Sequence, residues 1–182
     1  LIINVEKKSI LELSRVNVVE YKHIEKISLV IILDNIRSFN NVGSIFRTSD
    51  AFLVEKIILC GITAVPPHPD IHKTALGAEE SVDWCYYEDT VRAVEDMQKK
   101  GYIVYAVEQV KGSMMLNSLL LDKNSKYAIV LGHEVKGVQQ QVVDMCDGCI
   151  EIPQFGTKHS LNVSVTAGLV IWDMFKQLHQ HC

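Results

Sequence analysis

Short runs of almost uninterrupted apolar residues, each followed by a segment of helical period, constrain this chain more than any other feature. Ser28 to Leu33 is such a run, rich in β-branched residues. Lys56 to Cys60, Val82 to Tyr87, Tyr102 to Val107, Tyr127 to Leu131 and Cys149 to Ile152 follow in the same style. A strand that faces water on one side alternates polar and apolar residues; a strand covered on both faces does not. The intervening segments Asn41 to Leu53, Asp89 to Lys100, Val138 to Met145 and Asn162 to Leu178 carry helical patterns. Asn40 or Asn41 is the expected cap of the first of these. Strands alternating with helices predict an α/β fold, a parallel sheet flanked by helices on both faces. In such sheets ligands bind beyond the carboxyl ends of the strands. The loops after Leu33, Val107, Leu131 and Ile152 are therefore where chemistry is expected.

At 182 residues the chain is long enough for one domain with a short appendage. Residues 1–27 read as a helical arm with a loose apolar period through Leu11, Leu13, Val16 and Val19, and 28–182 as the main domain. Hydrophobic residues make up 48% and charged residues 22%, which argues against disorder and coiled coil. The net charge of −4 excludes a uniformly basic coat, so any nucleic-acid partner must be met by a local patch. No apolar run approaches the roughly 20 residues of a membrane helix, and no signal-peptide pattern opens the chain. Five cysteines, an odd number in mostly apolar segments, point to a reduced, cytoplasmic protein.

Several common site motifs fail. No G-x-G-x-x-G follows the first strand. Gly132 and Gly137 have P-loop spacing, but Val138 and Gln139 stand where Lys and Ser/Thr belong. His133-Glu134 opens like a zinc-protease helix but lacks the second His. Cys146-x-x-Cys149 is half a zinc site with no matching pair, and is read as two cysteines at a turn into a buried strand. His68 and His72 are read as loop residues because Pro69 interrupts a helix there.

Three polar loops remain. The first runs Asp34 to Thr48 and contains Asn41-x-Gly43-x-x-x-Arg47-Thr48. The second contains Leu131-Gly132-x-Glu134-x-x-Gly137. The third joins Ile152-Pro153 to Ser160-Leu161-Asn162-Val163. Taken singly, the asparagines and serines are ordinary helix caps, Arg47 a surface ion pair, and Glu134 a solvated turn residue. Together and in this order they resemble the three signature motifs of the SpoU, or TrmH-like, RNA ribose methyltransferases of the SPOUT class. The resemblance runs from about Leu29 to Phe175, and the segment His72 to Val82 is also similar to the family. His133 departs from the small or amide residue common at its position.

The resemblance implies transfer of a methyl group from S-adenosylmethionine to a ribose 2′-hydroxyl of tRNA or rRNA. It also implies a C-terminal trefoil knot and a homodimer with RNA spanning both subunits. The cofactor would lie against Val107, Glu108, Leu131, Gly132, Ile152 and Leu161. Arg47 would be the central catalytic residue, with Asn41 and Glu134 orienting it and the ribose, and Ser160 and Asn162 shaping the knot loop and contacting ribose or cofactor. The family often makes this arginine the base. Arginine side chains hold their proton above about pH 12, so phosphate binding and stabilisation of the developing alkoxide are the favoured role. Arg37, Lys73, Lys136 and Lys158 would supply the positive patch, and no metal is expected. The stretches Gly101 to Gln109, Glu151 to Gln154 and Ile171-Trp172 look closest to members acting on a tRNA D-loop guanosine, which favours tRNA over rRNA. The competing readings are a catalytically silent RNA-binding protein on the same fold and a methyltransferase acting on a small molecule or a protein.

Overall fold

The computed structural model describes residues 6–9 and 15–179. In chain order the elements are α1 (Val18–His23), β1 (Ile27–Asp34), α2 (Phe39–Ala51), β2 (Val54–Cys60), α3 (Pro69–Ala75), α4 (Ala78–Ser81) and β3 (Trp84–Tyr87). There follow α5 (Thr90–Lys99), β4 (Tyr102–Val107), β5 (Met114–Met115), a 3-10 turn, β6 (Lys126–Gly132), α6 (Gln140–Met145), β7 (Gly148–Glu151) and α7 (Val163–Leu178). The seven strands form one sheet in the order β3-β2-β1-β6-β4-β7-β5, and every pairing is parallel.

The continuous apolar runs have the reason predicted for them. Along β1, Leu29, Ile31 and Leu33 pack into one core with α2 and α7, while Val30 and Ile32 pack into a second with α5 and α6. Alternate residues thus enter opposite layers, and neither set reaches water. Register then brings the loops together. Asp34 ends β1 beside Gly132 at the end of β6, and Val107 on β4 pairs with Ile150 on β7. Strand ends that carry the motifs therefore share one edge of the sheet.

Local expectations needed four corrections. The cap of α2 is Ser38, whose hydroxyl accepts from Asn41 N at 3.2 Å; neither Asn40 nor Asn41 serves. Pro69 does not break a helix at His72 but begins one, because a proline at the first helical position loses no intrahelical bond. His68 caps α3 by accepting from Asp70 N at 3.2 Å, and His72 pairs with Glu79, so the two histidines have structural partners. The two-residue β5 and the single-turn α4 are too short to leave a period in the sequence. Of the expected arm, Val18–His23 is helical and Tyr21 is buried in the main core; Leu11 and Leu13 lie outside the described residues.

Gly43 is required where α2 crosses α3. A Cβ there would overlap the Thr74 hydroxyl and the Ile71 carbonyl. The glycine of the first motif thus permits close helix packing, which sets the tilt of the helix that carries Asn41 and Arg47.

Candidate active site

At the carboxyl edge of β4, β6 and β7 lies a pocket of about 440 Å³, within the usual range for small-ligand sites. Val107, Glu108, Leu131, Gly132, Ile152 and Leu161, the six positions expected to meet a cofactor, all line it. Ser160 and Lys136 line it as well. Its floor is the segment from Gly132 to Val138. His133 and Gly137 exchange both backbone hydrogen bonds there, at 3.1 and 2.8 Å, closing a tight hairpin. His133 Nδ1 accepts from the Val135 and Lys136 N–H groups at 3.0 and 3.2 Å. The imidazole that departs from the family pattern therefore caps its own turn. Gly132 permits no side chain, because a Cβ would strike the Val138 nitrogen and the Gly137 carbonyl, both backbone. Glu108 holds the far end of the turn, accepting from Val138 N at 3.0 Å and from Gln109 N at 2.9 Å.

Beside the pocket, one polar chain ties the three motifs together. Glu134 Oε2 accepts from Arg37 N at 3.0 Å. Its Oε1 accepts from Ser38 N at 2.9 Å and from Asn41 Nδ2 at 3.1 Å. Asn41 Oδ1 in turn accepts from Asn162 Nδ2 at 3.2 Å. Asn162 Oδ1 caps α7, receiving Ser164 N at 2.8 Å. Burial alone would push the Glu134 carboxyl up; the N–H groups of Arg37 and Ser38, with the Asn41 amide, outweigh it and hold the pKa below the ordinary value. Glu134 is thus an ionised acceptor that fixes the start of α2.

Arg47 is not part of this chain. It is exposed on α2 and its side chain makes no ion pair or hydrogen bond among the described residues. Six residues along a helix place it about 120° round the axis from Asn41. Asn41 and Glu134 therefore bond to each other and not to Arg47. Arg37 and Lys136 are exposed on the two loops joined by Glu134, Lys158 on the loop before α7, and Lys73 on α3. None of the four enters an ion pair among the described residues.

Asp34 was missed by sequence reasoning. It is 0% exposed and has no cationic partner among the described residues. Its carboxylate accepts from Thr90 Oγ1 at 2.7 Å, Asn35 Nδ2 at 2.9 Å, Gln139 Nε2 at 2.8 Å and Gln139 N at 3.0 Å. It joins the end of β1 to the starts of α5 and α6. An Asp closing an apolar strand was the available signal. Burial disfavours the thiolate at the cysteine pair: it pushes the Cys146 thiol up to about 12 and raises that of Cys149 as well. No group of His, Cys, Asp and Glu side chains suited to a metal ion occurs among the described residues.

With the pocket and its three loops in place, comparison with known proteins is decisive. The profile of the SpoU rRNA methylase family matches residues 28–172. The chain belongs to that family. The SpoU chain is 32% identical over 160 residues to a Staphylococcus aureus protein assigned to the TrmH family of tRNA/rRNA methyltransferases. That match covers 88% of this chain and 63% of the relative, so the chain spans under two thirds of the length of such curated relatives. Among solved structures, the TrmH/SpoU tRNA modifying enzyme of A. aeolicus superposes with a TM-score of 0.77 at 24% identity, covering 88% of this chain and 80% of that one. The S-adenosylmethionine-bound rRNA methyltransferase of Sinorhizobium meliloti gives 0.77 at 23% identity, covering 87% and 60%. S-adenosylmethionine is the cofactor of the family.

Proposed function

We propose that this SpoU chain is an S-adenosylmethionine-dependent RNA methyltransferase acting on a ribose 2′-hydroxyl, with tRNA, and a guanosine in it, the favoured substrate. The observation that carries the reading is the hydrogen-bonded chain Glu134–Asn41–Asn162, which binds the three motifs to one another at the rim of one pocket. A silent RNA-binding relative would have no need to keep that arrangement beside a pocket of cofactor size.

The lining suits the cofactor. Val107, Leu131 and Ile152 offer apolar walls for an adenine ring, and the Glu108 and Glu151 carboxylates favour a cationic sulfonium. When bound, S-adenosylmethionine supplies an electrophilic methyl carbon to the hydroxyl oxygen. The chain's own residues align and stabilise. Glu134 and Asn162 hold Asn41, and Ser160 lies on the pocket wall to meet the ribose. Arg47 binds a phosphate and offsets the charge that develops on the oxygen as it loses its proton. Arg37, Lys73, Lys136 and Lys158, none of which is ion-paired among the described residues, are available to RNA phosphates.

The C-terminal trefoil knot and the homodimer belong to the same proposal. The insertion of β6 between β1 and β4, with β7 beyond β4, supports the knot. Val165, Leu169 and Trp172 lie at i, i+4 and i+7 on α7 and are all exposed, an apolar stripe suited to a second copy of the chain. Arg47, which stands apart from its own chain's polar cluster, fits a site completed by that copy and RNA. The protein works in the cytoplasm in this reading. No helix among the described residues is long and apolar enough to cross a membrane.

The test is methyl transfer from labelled S-adenosylmethionine to unmodified tRNA and rRNA, with mass spectrometry of the product nucleosides. A 2′-O-methylated nucleoside in tRNA is expected. The same product in rRNA alone would move the substrate, a base-methylated product would refute the ribose reading, and cofactor binding without transfer to either RNA would favour a small-molecule or protein substrate. Gly132→Ala is a sharper probe of the pocket. Its Cβ meets backbone that cannot yield as a side-chain tip does, and overpacking of this kind costs about 1–3 kcal/mol. We expect a fall in Tm of about 2–12 °C and weaker S-adenosylmethionine binding by calorimetry. Wild-type affinity in this variant would place the cofactor elsewhere.

A further inference from the structure

Phe155 is 96% exposed, the most exposed large apolar side chain among the described residues. It makes no aromatic or cation contact there. It sits on the loop between β7 and α7, and that loop is a wall of the pocket through Gln154, His159, Ser160 and Leu161. The loop is not adrift, since Gln109 Nε2 donates to the His159 carbonyl at 2.8 Å. The ring is therefore held out to solvent on an anchored loop that borders the pocket.

The immediate surroundings favour one kind of ligand. The neighbours of Phe155 along its loop, Gly156, Thr157, Lys158 and His159, are small or polar and all exposed, so the ring is not part of a continuous apolar stretch of that loop; the exposed Val135 and Leu161 lie on other parts of the pocket lining. Lys158 has no ion pair among the described residues, and neither has Lys136, which lines the same pocket from the Gly132 to Val138 segment. A flat ring beside unpaired cations matches single-stranded RNA, in which a splayed base stacks on an aromatic face and the next phosphate finds a positive charge.

We propose that Phe155 is a stacking platform for an unpaired nucleobase of the RNA substrate, adjacent to the ribose presented to the pocket, with Lys158 taking a neighbouring phosphate. The inference rests on the RNA reading above and deepens it: the substrate segment is an unpaired loop, because a duplex keeps its base faces covered.

Steady-state methylation of an unmodified tRNA transcript by wild type, Phe155→Ala, Phe155→Leu and Phe155→Trp tests it, together with calorimetry of S-adenosylmethionine and sedimentation of each variant. Phe155→Ala is expected to raise KM for RNA roughly 5- to 150-fold, the range that base–aromatic stacking produces. Its kcat, cofactor affinity and oligomeric state stay as in wild type. Phe155→Trp restores KM and Phe155→Leu does not. An unchanged KM in Phe155→Ala overturns the platform, and so does full rescue by leucine. Loss of cofactor affinity would make Phe155 part of the pocket, and a change in oligomeric state would make it a protein contact; either result overturns the proposal. If wild type neither binds nor methylates either RNA, the RNA reading itself fails and the platform with it. Normal wild-type turnover with an indifferent Phe155→Ala fails the platform alone.

Discussion

Arg47→Ala is expected to cut the rate of methyl transfer by about 10²–10³, the range found when a group that stabilises transition-state charge is removed, and to leave Tm almost unchanged. The second half follows from the structure. Arg47 is exposed and holds no partner among the described residues, so its truncation strands no buried donor or acceptor. Changes at such surface positions usually stay within about 0.5 kcal/mol. A loss of rate in this variant therefore reads chemistry and not folding. Arg47→Lys separates the two roles open to the side chain. Lysine keeps the charge but loses the planar fork that grips phosphate, so a partial loss with an unchanged pH–rate profile supports electrostatic stabilisation. A profile that shifts in Arg47→Lys would assign the proton transfer to the arginine itself. A variant Arg47→Ala with wild-type kcat would remove Arg47 from the site altogether.

Asp34→Ala is expected to destabilise the protein by about 3–5 kcal/mol, read by urea unfolding. Two terms compete. The substitution removes the cost of burying a carboxylate, several kcal/mol. It also leaves Thr90 Oγ1, Asn35 Nδ2 and both Gln139 donors without their acceptor. Bonds to a charged group contribute about 1.5–3 kcal/mol each, so four of them outweigh the relief. Asp34→Asn keeps the volume and one acceptor but turns an N–H against a donor; a smaller loss of about 1–3 kcal/mol is expected. If Asp34→Ala costs under 1 kcal/mol, the network is not what joins β1 to α5 and α6. Because Gln139 follows the pocket floor directly, the alanine variant is also expected to weaken cofactor binding.

The contrast between Arg47 and Asp34 shows what each level of description can reach. Arg47 belongs to a spaced motif and is conspicuous in the sequence, yet it forms no bond that the fold depends on. Asp34 looks like the polar end of an apolar strand, yet it is the most heavily hydrogen-bonded carboxylate at the site. Glu134 lies between them. Its place in the second motif marks it, but its partners, Arg37, Ser38 and Asn41, are 93 to 97 residues away. The expectation that it orients Arg47 came from the family resemblance, whereas helix geometry turns Arg47 to another side of α2.

The sequence by itself determined the strands, the longer helices, the parallel two-layered cover and the three loops that hold the chemistry. These are written in local period, in glycines that backbone contact demands, and in residue types at fixed spacing. Only the tertiary structure decided that Ser38 and not an asparagine caps α2, that Pro69 opens a helix, that Asp34 carries Gln139 from 105 residues away, and that Asn41 joins Glu134 to Asn162. The physical reason is the same in each case. A polar side chain takes the partner that the sheet order delivers to it, and β6 reaches β1 only by a long crossover whose destination no local pattern records.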